Sequence, residues 1–285
     1  MNDLLNRGWE TRQASFQPRL TCYVPTRTLP VSVTGTACAL NCGHCGGHYL
    51  RHMVPVSEAA TDQRLPAATS LFISGGCDAD GHVPVRPHLD ALIALKGARR
   101  LNWHVGLIGP EELALIKPYV DAVSYDFVGD DRTIREVYGL QRTVEDYVAC
   151  FRMLQASVRV VPHVTVGLAG GEIRGERRAI SELRALGVDS LVFLVFVPTP
   201  GTRYAAHPAP APEAVAELIA EARVMLPAAA ITLGCMRPGG AHRAKLDSLA
   251  VQAGVNSIVN PTRSARLLAE AMGLRLVNVD ECCVF

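Results

Sequence analysis

Apolar residues along this chain gather into short runs rich in β-branched and aromatic side chains, at 31–34, 70–74, 102–107, 122–127, 158–166, 190–197, 230–233 and 256–259. Runs of this length and composition predict eight β-strands, several of them apolar on both faces as in a buried parallel sheet. Between the runs the apolar positions change to helical spacing. Leu89, Leu92, Ile93 and Lys96 form one such stripe, Tyr147, Val148, Phe151 and Leu154 a second, and Val215, Leu218, Ile219 and Ala222 a third. Pro110-Glu111-Glu112 and Pro212-Glu213 place proline and acid in a first helical turn, and Asn260-Pro261-Thr262 precedes a final helix. Strand and helix alternating eight times predict an α/β fold, a parallel (β/α)8 TIM-type barrel.

Composition is consistent with one such domain. The 285 residues are 49% apolar, enough to bury a large core. The expected division is a single domain over 1–285, with an N-terminal extension at 1–30, the barrel at 31–272, and a C-terminal tail over the barrel mouth at 273–285. Net charge is +1 and lysines and arginines form no run, so nucleic acid is not an expected partner. The opening residues are polar, and the longest strongly apolar stretch, 191–197, is too short to cross a bilayer. No membrane association is expected, and the reading is cytoplasmic. Nine cysteines in a chain of this size suit a reducing compartment and metal rather than a disulfide framework.

In a parallel barrel, chemistry belongs to the loops at the carboxyl ends of the strands. The loop after the first predicted strand carries Cys38, Cys42 and Cys45, spaced CxxxCxxC among Gly43, Gly46 and Gly47. Three thiolates with no fourth nearby suit a four-iron cluster with three irons held and one open. A zinc knuckle borrowing His44 or His48, or three unrelated buried thiols, are the plainer alternatives. Later strand ends carry Ser74-Gly75-Gly76-Cys77-Asp78, Asp126, 167–175, Pro198-Thr199-Pro200-Gly201 and Gly234-Cys235-Met236-Arg237-Pro238. His163, in the fifth strand, reads as a core histidine bonded to backbone, and Cys150 as a small core residue of a helix.

The CxxxCxxC loop, Gly75-Gly76-Cys77-Asp78, Gly171-Glu172-Ile173-Arg174-Gly175 and Gly234-Cys235-Met236-Arg237-Pro238 together resemble the radical S-adenosylmethionine (SAM) enzymes, in particular the biotin and lipoyl synthase group. With the terminal Cys282-Cys283 pair, the resemblance is nearest to a subunit of two-component lipoyl synthase. It implies that Cys38, Cys42 and Cys45 hold a [4Fe-4S] cluster whose open iron chelates SAM. An electron from that cluster would cleave SAM to a radical that abstracts hydrogen from an unactivated carbon. It further implies that Ser74, Gly75 and Gly76 form the turn that meets the SAM ammonium, although Cys77 stands where the family has glutamate. Gly171, Ile173 and Gly175 would grip adenine, Asp126 the ribose, and His44, at a position usually aromatic, would stack on adenine.

The same resemblance suggests a second iron–sulfur cluster, with ligands drawn from Cys77, Cys235, Cys282 and Cys283. Arg237 is a further candidate ligand and Cys22 a reserve. The implied function is a sulfurtransferase, using that cluster to insert sulfur at C6 or C8 of a protein-bound octanoyl chain. Its partners would be an octanoylated carrier such as H protein or an acyltransferase domain, a second radical SAM subunit and a reducing electron donor. The N-terminal cysteine motif of one-component lipoyl synthase and the full barrel cysteine set of biotin synthase are both missing from the chain. Another radical SAM reaction of cofactor biosynthesis, methylation or carbon–carbon bond chemistry, is the alternative, and a non-catalytic iron–sulfur protein a third.

Overall fold

The computed structural model describes residues 2–285. Its strands are β1 (Arg19–Tyr23), β2 (Thr28–Ser32), β3 (Val54–Pro55), β4 (Ser70–Ser74), β5 (Arg100–Trp103), β6 (Ala122–Asp126), β7 (Val160–Val166), β8 (Ser190–Val195), β9 (Ala230–Leu233), β10 (Ser257–Val259) and β11 (Arg275–Val279). Its helices are α1 (Asn2–Ser15), α2 (Leu89–Lys96), α3 (Pro110–Ile116), the short α4 (Asp131–Thr133), α5 (Val144–Gln155), α6 (Glu176–Ala185), α7 (Pro212–Met225), α8 (Gly240–Gln252) and α9 (Arg263–Ala271).

All eight expected strands are present, in the order β2, then β4 through β10. They belong to one parallel sheet with the order β11-β1-β10-β9-β8-β7-β6-β5-β4-β2-β3. The first of them runs from Thr28 to Ser32 rather than from 31 to 34. The expected extension and tail each add a strand: β1 pairs β10 on one side and β11 on the other. β3 and β11 end the sheet without pairing each other, so the barrel is partial rather than closed. Because every pairing is parallel, all strand carboxyl ends lie at one rim and all amino ends at the other.

Alternation along each strand sorts side chains between two environments. Leu101 and Trp103 of β5 and Val123 and Tyr125 of β6 turn outward into the continuous apolar layer beneath the helices. The helices that cover that layer start where the chain signals it. Thr143 caps α5 by accepting from the Asp146 amide while the Asp146 carboxylate accepts from the Thr143 amide. Cys22 faces this outer layer, fully buried near Arg266 and Glu270 of α9, which removes it as a reserve ligand. Cys150 lies there too, its thiol 3.5 Å from the Ile108 carbonyl.

The inner side is different. Asn102, Ser124, Thr232 and Ser257 bring polar groups to the barrel interior, with the Asn102 side-chain oxygen accepting from both the amide and hydroxyl of Ser124. A separate small apolar cluster, Ala122, Val161, Val192 and Val284, closes the interior at the amino ends of the strands. Val284 shows that the C-terminal tail is its plug. Glu281 anchors that tail, accepting from Thr28, Thr69 and Ser70 and pairing with Arg100 at 3.4 Å. The Arg100 guanidinium also stacks on Phe285 at 4.1 Å. Those partners sit at the amino ends of β2, β4 and β5. The tail therefore crosses the mouth opposite the strand-end loops, not the one that was expected.

Candidate functional site

The cysteine loop leaves β2 at the carboxyl rim. Ser32 donates its hydroxyl to the Gly35 carbonyl at 2.7 Å, and the Thr34 hydroxyl accepts from the Gly76 amide at 2.7 Å. Gly76 must be a glycine: a Cβ there would lie 2.0 Å from the Ala37 carbonyl and 2.6 Å from the Cys38 Cα. The Ser74-Gly75-Gly76 turn thus abuts the cysteine loop, and the Ala39 amide donates to the Cys77 carbonyl at 2.8 Å. Successive turns, Cys45 amide to Cys42 carbonyl and His48 amide to Cys45 carbonyl, wind the loop tightly.

Two other loops pin it from outside. The Gly43 amide donates to the Val137 carbonyl at 2.7 Å, and the Tyr204 amide donates to Gly43 at 3.0 Å. Arg203 bridges these loops by donating to the Glu136 and Val137 carbonyls. Tyr49 bonds Thr199 at 3.2 Å. Arg203, Tyr204 and Tyr49 were not singled out from the sequence, and Thr199 only as part of a strand-end run; the tertiary juxtaposition of the loops after β2, β6 and β8 gives them a role.

Cys38, Cys42 and Cys45 are all free thiols. Burial pushes the Cys42 thiol far above its usual range, and the neighbouring Cys45, Cys38 and Cys77 add to this. Three thiols on one short loop, with the Cys42 thiolate disfavoured by burial and by its neighbours, make a donor set that cationic irons would relieve. His44 adds a buried Nδ1 with no hydrogen-bond partner, its ring edge-on to Tyr138 at 5.6 Å. Burial lowers its pKa to about 4 despite the Asp126 charge, so its imidazole is neutral at pH 7. These residues fit the implied [4Fe-4S] cluster. Among the described residues, no three His, Cys, Asp or Glu side chains are already gathered around one metal-sized point.

Beneath the loop runs a hydrogen-bonded line that sequence reading found only at its ends. The Ser74 hydroxyl meets His104 Nδ1 at 3.1 Å, and His104 Nε2 meets Asp126 at 3.1 Å. His104 was hidden in the sequence because it directly follows β5, inside the predicted strand 102–107, with no motif around it. Asp126, placed as expected at the tip of β6, is therefore engaged by a histidine. Burial raises the Asp126 pKa, but His104, His163 and His44 outweigh it and bring it down to about 2. Burial lowers His104, but the charge and hydrogen bond of Asp126 prevail and raise it. His163 bonds the Val161 carbonyl through Nδ1 at 2.9 Å, as a core histidine would, while its ring faces Asp126.

The sign of this pairing sets a pH window. The His104 contribution is complete below its ordinary value near 6.5 and is lost as pH rises through its raised value. The Asp126 contribution is complete above its ordinary 3.8 and is lost as pH falls toward about 2. Substituting Asp126→Asn is expected to lower the His104 pKa below that of the wild type, read by NMR of ring-labelled histidine. An unchanged titration would mean that the pair does not hold the proton.

The remaining candidates divide. Cys77, its thiol pushed up to about 12 by burial and by Cys38, belongs with the loop cysteines. Cys235 follows β9 and so also lies at the carboxyl rim, whereas Cys282 and Cys283 are carried on the tail at the amino-end mouth. Cys282 accepts from the Asn102 amide group at 3.5 Å. The four cysteines expected to converge at one mouth are thus split, Cys77 and Cys235 at the carboxyl rim and the terminal pair on the tail. Arg237 is not a ligand. Its guanidinium is buried and bidentate on Asp247, at 2.7 and 3.0 Å, and also donates to the Gly234, Val259 and Asn260 carbonyls.

The room opened by Gly171 and Gly175 is taken by protein. A Cβ at Gly171 would lie 2.0 Å from the Pro208 carbonyl, and one at Gly175 would lie 2.5 Å from Asp130. Ile173 packs on the core between them. Glu176, unnoticed in the sequence, clamps this segment: its buried carboxylate accepts from the Gly167, Arg174 and Gly175 amides at 2.7, 2.7 and 3.0 Å.

No family model and no curated protein matches the chain by sequence. Solved structures do match it by fold. Methylornithine synthase (PylB) superposes with a TM-score of 0.68 at 14% identity, covering 97% of this chain and 89% of that one. HydG, a maturase of the [FeFe]-hydrogenase, gives 0.67 at 14% identity, covering 96% of this chain and 68% of that one. HydG from Carboxydothermus hydrogenoformans gives 0.63 at 15% identity, over 90% of this chain and 62% of its own length. The chain has the partial parallel barrel shared by these enzymes.

Proposed function

We propose that this protein is a radical SAM enzyme that acts on a small polar substrate held inside the barrel. The observation that carries this reading is the CxxxCxxC loop, fixed at the carboxyl rim directly over the Ser74–His104–Asp126 line. When bound there through Cys38, Cys42 and Cys45, the cluster supplies one-electron reductive cleavage of SAM. The chain's own part is orientation and exclusion of water. The loops carrying Arg203 and Tyr204 cover the cysteines from one side, and the tail plugs the barrel from below. His104 and Asp126 hold a proton at His104 Nε2, within reach of the interior.

The polar lining favours a small polar substrate over an alkyl arm. Asn102, Ser124, His104 and Asp126 would be left against methylene groups by an octanoyl chain. PylB, one of the enzymes that share the fold, is a methylornithine synthase, and methylornithine is a small amino acid. Sulfur insertion is the second reading, favoured by the terminal cysteine pair, whose Cys282 meets Asn102 of the interior and would be a source of ligands for a sulfur-donating cluster. That reading keeps the octanoylated carrier and partner subunit as its companions.

The test is electron paramagnetic resonance of anaerobically reconstituted, dithionite-reduced protein with and without SAM. A SAM-dependent change in the cluster signal, with 5'-deoxyadenosine formed on turnover, is the expected result. A cluster signal indifferent to SAM would leave an electron carrier instead.

A further inference from the structure

The barrel has a second opening. Opening at the amino ends of β1 and β7 to β10, running along β1 to Tyr23 and walled in part by the C-terminal plug, lies a cavity of about 680 Å³. That size is within the range of small-molecule sites. Its rim and walls carry Arg19, Arg159 and Tyr23, the hydroxyl pair Thr232–Ser257 and, on the plug itself, Cys283. No aspartate or glutamate lines it. Neither the Arg19 nor the Arg159 guanidinium makes an ion pair or a side-chain hydrogen bond among the described residues, although other arginines on this molecule are widely paired. Both lie close enough to Tyr23 for their charges to act on its phenol.

Two unpaired guanidiniums on one concave, carboxylate-free surface make a region of positive potential with donors already in place. Hydroxyls from Thr232, Ser257 and Tyr23 supply orienting hydrogen bonds deeper in the cavity. We infer that this amino-end cavity binds a small organic anion, through a carboxylate or phosphate group held between Arg19 and Arg159, with the body of the ligand against Tyr23 and the C-terminal plug. The inference does not depend on the cysteine loop. Because Cys283 is part of the wall, such a ligand touches the same segment that closes the reaction chamber from below. Occupancy of the cavity would therefore bear on the position of Cys282 and Cys283.

The test uses the full chain, kept anaerobic, with citrate as the carboxylate probe and pyrophosphate as the phosphate probe. Calorimetric titration is expected to give saturable one-to-one binding of at least one probe, with a Kd below about 1 mM. The variant Arg19→Gln/Arg159→Gln, whose changes are on exposed side chains, should weaken that binding roughly tenfold or more with an unchanged melting temperature. A second readout places the ligand: the bound probe should slow alkylation of Cys283 by N-ethylmaleimide, followed by mass spectrometry. The binding probe identifies the anion class. Binding that does not saturate, that survives the double substitution, or that leaves Cys283 alkylation unchanged would overturn the assignment.

Discussion

Replacing Cys38, Cys42 and Cys45 together by alanine is expected to remove about four irons per chain from anaerobically reconstituted protein and to abolish SAM cleavage. The reason is local. The three thiols lie on one loop wound by its own turns and pinned by the Gly43 contacts to Val137 and Tyr204. Iron and sulfide analysis of wild type beside the variant also decides between the two readings of function. A fall from about eight irons to about four would show a second cluster and favour sulfur insertion. Cys77, Cys235, Cys282 and Cys283 would then each be checked as its ligand by alanine substitution. A fall from about four to none would leave a single catalytic cluster and remove the sulfur donor. Retention of all iron in the triple variant would sink the radical SAM assignment itself.

The second large effect is on stability. Asp247→Ala is expected to destabilise the fold by roughly 3–5 kcal/mol, because it strands a buried guanidinium without its counter-charge. Arg237 and Asp247 are both 0% exposed at the side chain, and Asp247 also accepts from the Thr262 amide at 2.9 Å. One carboxylate thus joins the loop after β9, helix α8 and the start of α9. For a chain of this length the loss corresponds to a fall in melting temperature of about 5–10 °C, measurable by circular dichroism with the native far-ultraviolet spectrum retained below the transition. A fall of less than about 2 °C would mean that Arg237 is not committed to Asp247, and its earlier reading as a ligand would stand again.

Local pattern revealed much of this molecule. The eight strands and the helices beginning at Pro110 and Pro212 were legible because burial on a sheet and under a helix imposes fixed periods on apolar residues. The same reading passed over β1 and β11. Leu20 and Cys22 alternate with polar residues over only five positions, and β11 is an edge strand that is only partly buried, so neither produces a strong apolar run. The cysteine spacing stood out for a different reason: a cluster would fix the distances among its ligands, and a single loop could meet them only at short, set offsets.

What the sequence by itself determined, then, is the set of local elements and which thiols share one loop. The tertiary structure alone decided which separate loops meet. His104 became the partner of Asp126 and Ser74 only because β4, β5 and β6 are adjacent and in register. Cys77 and Cys235 are at the carboxyl rim while the terminal pair went to the tail's amino-end mouth, and Arg237 turned from candidate ligand to buried strut. The C-terminal tail went to the amino-end mouth because Glu281 finds Thr28, Thr69, Ser70 and Arg100 there. Sequence spacing constrains distance along the chain over a few residues, whereas contacts between residues far apart in the chain depend on sheet order and register, which are set by the packing of the whole domain.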